Sequence, residues 1–405
     1  MKKIISLIMS IMLVLFTFSS CNEPAPQIDY SDKYVEGQDA QESNIGYTMM
    51  GSFPETDDSF YVTLLNTFYV ADKHSHKIIP LCSKPDCKHD KYSSDCEAHG
   101  IGSAQLYMNK LYYLHEDYKK DENGIDYFVH QLCCMELDGT DKKVVFETKK
   151  DTFMISSYKI HRGYFYMMIA NQSEDGSYSS SNGELCRMKI GESEPETIFD
   201  MPHGESVIDV RFHGNNMYML YETPMENVSE DNFTAHFVCY DLDTMEHEDM
   251  NEKLDYPISG LFTISDEKIV YSDVNDQSKI CVCSLDGSDN RIAADLSDTF
   301  GEGAYDYYNV MSSNDDDIMI LASNEDDYYH KTLILGDKAF QHFESCDLPE
   351  AAQPNMICSG DLMLFIGQGG DGENYENNST LQLWLADKTK MGQDGCAEMV
   401  CEVEF

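Results

Sequence analysis

Short apolar runs alternate along this chain with polar loops rich in Gly, Asn, Asp and Ser. A Tyr-rich run opens each unit: Phe60-Tyr61-Val62, Leu111-Tyr112-Tyr113-Leu114, Tyr164-Phe165-Tyr166-Met167, Met217-Tyr218-Met219-Leu220, Ile269-Val270-Tyr271, Ile318-Met319-Ile320-Leu321 and Leu362-Met363-Leu364-Phe365. From Leu111 onward these runs begin 53, 53, 52, 49 and 44 residues apart. A second run follows, with apolar residues at alternate positions: Cys133, Met135 and Leu137; Cys186, Met188 and Ile190; Val238, Tyr240 and Leu242; Cys281, Cys283 and Leu285. A period of two is the pattern of a half-buried strand. Several of these runs end in Leu-Asp-Gly or Leu-Asp, a turn signal leading into another strand. No long amphipathic helical stretch intervenes.

Strand pairs at a constant spacing define seven units, at about 44–92, 104–151, 154–201, 206–251, 258–299, 304–348 and 357–405. Self-similarity of this length marks a repeat architecture, and four-stranded units of this size read as propeller blades. The pattern therefore predicts an all-β β-propeller of seven blades, each of four antiparallel strands. Closing the ring removes most free strand edges. The end copies are the weakest and leave six or eight blades as alternatives. Two stacked sandwiches would not explain one constant period.

The Tyr-Tyr strand followed by a Leu-Asp-Gly strand end, as at Leu111 to Leu114 with Leu137-Asp138-Gly139, resembles the lipoprotein-receptor-like β-propeller repeats of bacterial lipoproteins of unknown function. The resemblance covers residues 100–300 best. The Tyr-Trp-Thr-Asp tetrapeptide of the receptor propellers is absent.

The N-terminus stands outside the repeat. Lys2 and Lys3 precede an apolar run from Ile4 to Phe18, and then come Ser19, Ser20 and Cys21. A basic start, a short apolar stretch and small residues make a secretory signal over residues 1–20. The run is short for a membrane span. Phe18-Ser19-Ser20-Cys21 resembles a bacterial lipobox, with Phe18 where the family usually has Leu. That resemblance implies that Cys21 is the first mature residue and carries the acyl (palmitate-type) lipid. It also implies a bilayer-anchored protein on the extracytoplasmic face of the cell membrane. Ordinary secretion, with Cys21 discarded or unmodified, is the alternative. Residues 21–43, polar and Pro-containing, read as the lipidated cysteine and a flexible tether. Residues 44–405 form the propeller domain.

A formal net charge of −45, from 73 acidic and 28 basic side chains, repels phosphate backbones and excludes nucleic acid as a partner. It suits solubility and cationic or metal partners. Most of the excess reads as a solvated acidic surface on a monomer.

The sharpest local cluster is Cys82-Ser83-Lys84-Pro85-Asp86-Cys87-Lys88-His89, with Cys96 seven residues later. Three thiols and one imidazole suit a closed tetrahedral zinc site, which is structural rather than catalytic. A disulfide within the set or free thiols are the alternatives, and spacing does not choose among them. Cys-x-x-Pro-x-Cys-x-His followed by Cys also resembles a segment of secreted clostridial-type lipoproteins. Cys133, Cys186, Cys281 and Cys283 occupy strand positions that a small hydrophobe explains. Cys396 and Cys401 lie near each other in sequence, and Cys346 and Cys358 flank one inter-blade link.

Acidic runs at Asp315-Asp316-Asp317 and Glu325-Asp326-Asp327, and the glycine loop from Gly367 to Asn374, match no complete calcium motif and read as turns. No Gly-x-Ser-x-Gly, phosphate loop or His-Glu-x-x-His occurs. With no catalytic residue assigned, the expected role is a non-catalytic binding or scaffold protein for a protein, peptide or glycan. A propeller hydrolase or lyase acting on polysaccharide is the alternative. It needs Asp, Glu, His and Arg converging on the first strands of several blades. The basic groups there are few: His161, Arg162, Arg211 and His213. A two-lobed solute-binding protein would need α/β alternation, which the pattern opposes.

Overall fold

The structure is a computed structural model. It describes residues 28–40, 53–65, 67–89, 96–124, 126–149, 153–172, 178–201, 205–224, 233–313, 316–325, 331–348, 356–359, 361–369, 380–391, 393 and 396–404. These form seven antiparallel sheets in chain order, each built from one continuous stretch. Six have four strands. Their first strands are β4 (Ala104–Tyr107), β8 (Phe153–His161), β12 (Ser206–His213), β16 (Ile258–Ser265), β20 (Tyr307–Ser313) and β24 (Met356–Ser359).

The first sheet has three strands among the described residues: β1 (Ser59–Leu64), β2 (Thr67–Asp72) and β3 (Ile78–Pro80). These match the second, third and fourth strands of the other blades. The innermost position carries only the bridge between Glu55 and Phe60. Residues 41–52 lie outside the described set, as do residues 1–27 with the expected signal and Cys21.

Seven apolar clusters fill the seven junctions between successive sheets. Tyr61, Phe68, Leu111 and Met135 join blades 1 and 2. Tyr112, Leu132, Tyr158 and Phe165 join blades 2 and 3. Tyr166, Phe212 and Met217 join blades 3 and 4, and Phe237, Phe262 and Tyr271 join blades 4 and 5. Val270, Ile280, Val310 and Ile320 join blades 5 and 6; Met311, Leu333, Met363 and Phe365 join blades 6 and 7. Phe60 and Val62 meet Leu364 and Leu383 of the last sheet and close the ring. The period-two alternation thus has a different meaning from the half-buried strand expected. In blade 5, Tyr271, Cys281 and Cys283 face blade 4, while Val270, Ile280 and Val282 face blade 6. Both faces of a blade are apolar because each is covered by a neighbour.

The Leu-Asp-Gly turn acquires a physical role. The Asp138 carboxylate accepts from the Thr140 amide at 3.0 Å, and Asp286 accepts from the Ser288 amide at 2.9 Å. Gly139 has φ of +82°, and a Cβ there would meet Leu81 of blade 1 at 3.1 Å. The turn's leucine carbonyl accepts a side chain from the preceding blade. Tyr61 donates to Leu137 at 3.3 Å, Arg187 to Leu242 at 2.8 Å and Tyr218 to Leu285 at 3.1 Å. The motif is an inter-blade latch.

Residues 28–40, expected as tether, instead pack across the turns between the first and second strands of blades 2, 3 and 4. Gly37 accepts from the Met108 amide at 2.9 Å, and Gln38 accepts from the Arg162 amide at 2.7 Å. The Arg162 guanidinium grips Asp39 at 2.6 and 3.1 Å and donates to the carbonyls of Ser31 and Lys33 at 2.5 and 2.6 Å. Both members of the ion pair are buried. A Cβ on Gly214 of blade 4 would collide with the Asp32 backbone. His161 completes this strap. Its Nδ1 accepts from the Ala40 amide at 3.2 Å, and its Nε2 donates to the Gly214 carbonyl at 2.8 Å.

Two outcomes follow. Arg162→Ala leaves Asp39 buried without its partner, a loss of about 3–5 kcal/mol, and exposes residues 28–40 to limited proteolysis ahead of the blades. Burial pushes the His161 imidazole down to about 4 from 6.5. Below pH 6.5 the unfolded imidazole takes a proton that the folded one refuses until about pH 4. Stability is therefore full above pH 6.5 and falls across that window, by up to about 3 kcal/mol from this group. Denaturant titrations at successive pH values should show the slope, and His161→Gln should flatten it.

Candidate metal centre

The link between blades 1 and 2 leaves β3 at Leu81. The Leu81 amide donates to the Phe68 carbonyl at 2.8 Å, and the side chain is buried beside Gly139 of blade 2. The chain is thus clamped between two blades at the residue before Cys82. It then turns sharply, with the Cys87 amide donating to the Lys84 carbonyl at 3.2 Å. His89 takes a left-handed backbone, φ +51°. The returning arm is held as firmly: the Phe68 amide donates to the Ala98 carbonyl at 2.8 Å, and Thr67 bridges His99. Residues 90–95 lie outside the described set.

This folding brings Cys82, Cys87, His89 and Cys96 together. One ligand atom from each lies within 4.8 Å of all the others. Cys96 Sγ and His89 Nδ1 are 3.6 Å apart. A tetrahedral zinc, with Zn–S of about 2.3 Å and Zn–N of about 2.0 Å, sets an S–N edge of about 3.5 Å and S–S edges of about 3.8 Å. The Cys96–His89 edge already fits, and the rest need draw in by about 1.3 Å at most. Cys96 is buried, Cys82 and Cys87 are half-buried and His89 is exposed. The set sits at a rim, with one imidazole toward solvent.

The surroundings support thiolate at Cys82. Burial pushes that thiol up, but the amides of Lys84 and Glu97 and the thiols of Cys87 and Cys96 bring it below its usual range. Burial pushes the Cys96 thiol up to about 11. Amide donors on a ligating sulfur are the outer shell that tunes metal sites. Lys142 adds a cation: its ammonium donates to the Glu97 carbonyl. Burial lowers its pKa, against the pull of Glu97, Cys82, Cys96 and Cys133. Three thiolates with a divalent ion carry one net negative charge, and Lys142 lies within electrostatic reach of it. The spacing of the cysteines pointed to the ligands, but nothing in the sequence pointed to Lys142, which follows the Leu-Asp-Gly turn of the next blade.

Cys133, Cys186, Cys281 and Cys283 behave as hydrophobes. Burial pushes the thiol of Cys133 up to about 11 and those of Cys186, Cys281 and Cys283 up to about 12. Such thiols are poor nucleophiles.

A buried ion pair lies on the inner strands at the centre of the ring. Arg211 and Asp209 on β12 are both fully buried and joined at 2.9 Å. Arg211 Nη2 also reaches past blade 5 to the Met311 carbonyl of β20, at 2.9 Å. Beside it, Lys159 of β8 donates to the Val210 carbonyl at 2.7 Å. His161 and Arg162 serve the strap. His213 is buried at the end of β12, and burial lowers its pKa. Of the basic groups singled out in the sequence, His161, Arg162 and Arg211 are thus engaged in holding the fold. A separate acidic cleft of about 630 Å³ lies between blades 5 and 6, lined by Asp276, Asp298, Glu302 and Asp306. Local bonds already engage two of these: Lys279 pairs with Asp276 at 2.8 Å, and the Glu325 amide donates to Asp306 at 2.8 Å.

Among the described residues, no helix is long and apolar enough to cross a membrane. No known family and no curated protein matches the chain. Solved structures do. Prolyl oligopeptidase B from Galerina marginata aligns with a TM-score of 0.47 and 11% identity, covering 89% of this chain and 50% of that one. TolB from Acinetobacter baumannii aligns with a TM-score of 0.43 and 11% identity, covering 88% and 79%. A chain from the complex of KlAtg21 with the coiled-coil of AgAtg16 aligns with a TM-score of 0.46 and 9% identity, covering 89% and 99%. The chain spans about half the length of the peptidase chains it matches.

Proposed function

We propose that this chain is a lipid-anchored, extracytoplasmic propeller that binds a protein, peptide or glycan through its loops and performs no catalysis. The observation that carries the reading is the state of the ring's centre. A propeller hydrolase needs carboxylates free to meet substrate there. Here Asp209 is fully buried and neutralised by Arg211, which is itself tied to the Met311 carbonyl. The pairing takes this carboxylate out of reach of a substrate, and the seven-blade disc leaves loops as the variable surface. The anchor rests on Phe18-Ser19-Ser20-Cys21 and on the basic and apolar residues before it. Within the same reading, Cys82, Cys87, His89 and Cys96 hold one structural zinc that pins the link between blades 1 and 2.

Three experiments test these parts separately. In cells fed a labelled fatty acid, the full chain should take up label and sediment with membranes, and Cys21→Ala should do neither. A Cys21→Ala protein that stays labelled and membrane-bound would overturn the anchor.

The soluble part, residues 22–405, should carry one zinc per chain by metal analysis. Cys87→Ser and His89→Ala should each lose it, and chelator should lower the melting temperature of the parent alone. Absence of metal, with a mass about two daltons lower per pair of thiols lost, would make the cluster a disulfide.

Incubated with cell-wall glycans and peptides, the protein should retain them without releasing product. Turnover abolished by Asp209→Asn would replace the binding reading with the hydrolase.

A further inference from the structure

The junction between blades 6 and 7 holds a second cysteine pair. Cys346 lies on the outer strand of blade 6, Phe343–Asp347; Cys396 lies just before the outer strand of blade 7, Ala397–Glu404. Both are buried in the cluster that joins these sheets. Their Sγ atoms are 2.7 Å apart, although 50 residues separate them in sequence. Bond formation asks for a closing movement of about 0.7 Å. Cys401, close to Cys396 in sequence, is not its neighbour in the fold. Cys401 instead packs at the junction of blades 7 and 1.

We propose that Cys346 and Cys396 form a disulfide that staples the last blade to the ring. The fold gives this position a purpose. Among the described residues every sheet is built from one continuous stretch, so no hydrogen-bonded ladder crosses the seam between blades 7 and 1. That seam is held by side-chain contacts, with Phe60 and Val62 against Leu364 and Leu383 and His76 Nδ1 2.8 Å from a Glu398 carboxylate oxygen. On the other side of blade 7, Lys388 pairs with Asp317 of blade 6. A covalent bond there fixes blade 7 to blade 6 and limits opening of the seam.

The chemistry balances as thiol–disulfide exchange. Two thiols lose two protons and two electrons to a disulfide oxidant, either a small-molecule disulfide or an oxidoreductase, which leaves as two thiols. Burial pushes the Cys346 thiol up to about 12, so little thiolate is present once the chain has folded. The bond therefore forms during folding, while both sulfurs are accessible, and afterwards resists external reductant. The geometry does not depend on the proposed cellular location, which bears only on the oxidant available.

The test uses the soluble part, residues 22–405, unfolded under reducing conditions and refolded with oxidised and reduced glutathione. Non-reducing peptide mapping should recover a Cys346–Cys396 cross-linked peptide. Reductant should leave that bond intact in the folded protein and cleave it once denaturant is added. The cross-linked form should melt several degrees above the reduced form. Cys346→Ser and Cys396→Ala should each abolish both the peptide and the difference in melting. Mapping of the unsubstituted protein keeps the proposal testable if a variant folds poorly. Recovery of Cys346 and Cys396 as free thiols after oxidative refolding, or a Cys396–Cys401 link, would overturn it.

Discussion

Apolar contact between the faces of successive sheets is the constraint on which the molecule depends. A single blade of three or four strands leaves two apolar faces and cannot cover either alone. Each gains a cover only from its neighbour, so the ring is stable when all seven junctions are filled. This explains why Tyr, Phe, Met and Cys recur at fixed positions in the second and third strands. It also explains why cysteines such as Cys186 and Cys281 sit deep in the structure without forming disulfides. The polar groups that cross from blade to blade adjust this packing. The leucine carbonyl of each Leu-Asp turn receives a hydroxyl or guanidinium from the preceding blade, and Arg211 joins inner strands across the centre.

The strap at residues 28–40 places a buried charge pair where a solvated linker was expected. A buried ion pair is weak evidence of net stabilisation, because desolvation offsets much of the attraction. Its value here is positional. Arg162 has five donors, and four of its bonds go to Asp39, Ser31 and Lys33, which leaves the segment one way to lie. His161 is neutral because both of its nitrogens are engaged in a dry site. Any lipid anchor at Cys21 would thus join a chain that becomes part of the propeller within a few residues, on the side of the first-to-second-strand turns.

Thiols in this chain divide by environment. Cys82, Cys87 and Cys96 lie on a rim beside His89 with the Lys142 ammonium nearby, an arrangement that suits a metal, and at Cys82 the surroundings lower the thiol's pKa. Cys133, Cys186, Cys281 and Cys283 lie in apolar junctions that keep the thiol protonated. Cys346 and Cys396 are buried too, but the junction of blades 6 and 7 places their sulfurs side by side. The same residue type therefore serves as ligand, hydrophobe or cross-link according to what surrounds it.

The repeat was legible because strand period, turn residues and unit length are local properties of the chain. Tyr112, Cys133 and Gly139 announce a strand, a strand and a turn without reference to distant residues. The metal set was half legible: the spacing of Cys82, Cys87, His89 and Cys96 named the ligands, but their convergence depends on Leu81 and Ala98 being held by Phe68. Alternation along a strand gave the side a residue faces, yet not that both sides are buried, since the second cover comes from another blade. The meeting of Asp39 with Arg162, of Arg211 with Met311 and of Cys346 with Cys396 had no sequence signal. Each joins residues at least 50 positions apart, and only closure of the ring brings such residues within bonding distance. The sequence by itself determined the blade, because each is specified within about fifty residues; closure of the structure at seven sheets decided among six, seven and eight. The tertiary structure alone decided which side chains meet between blades, because those contacts exist only when separately folded units are stacked into a ring.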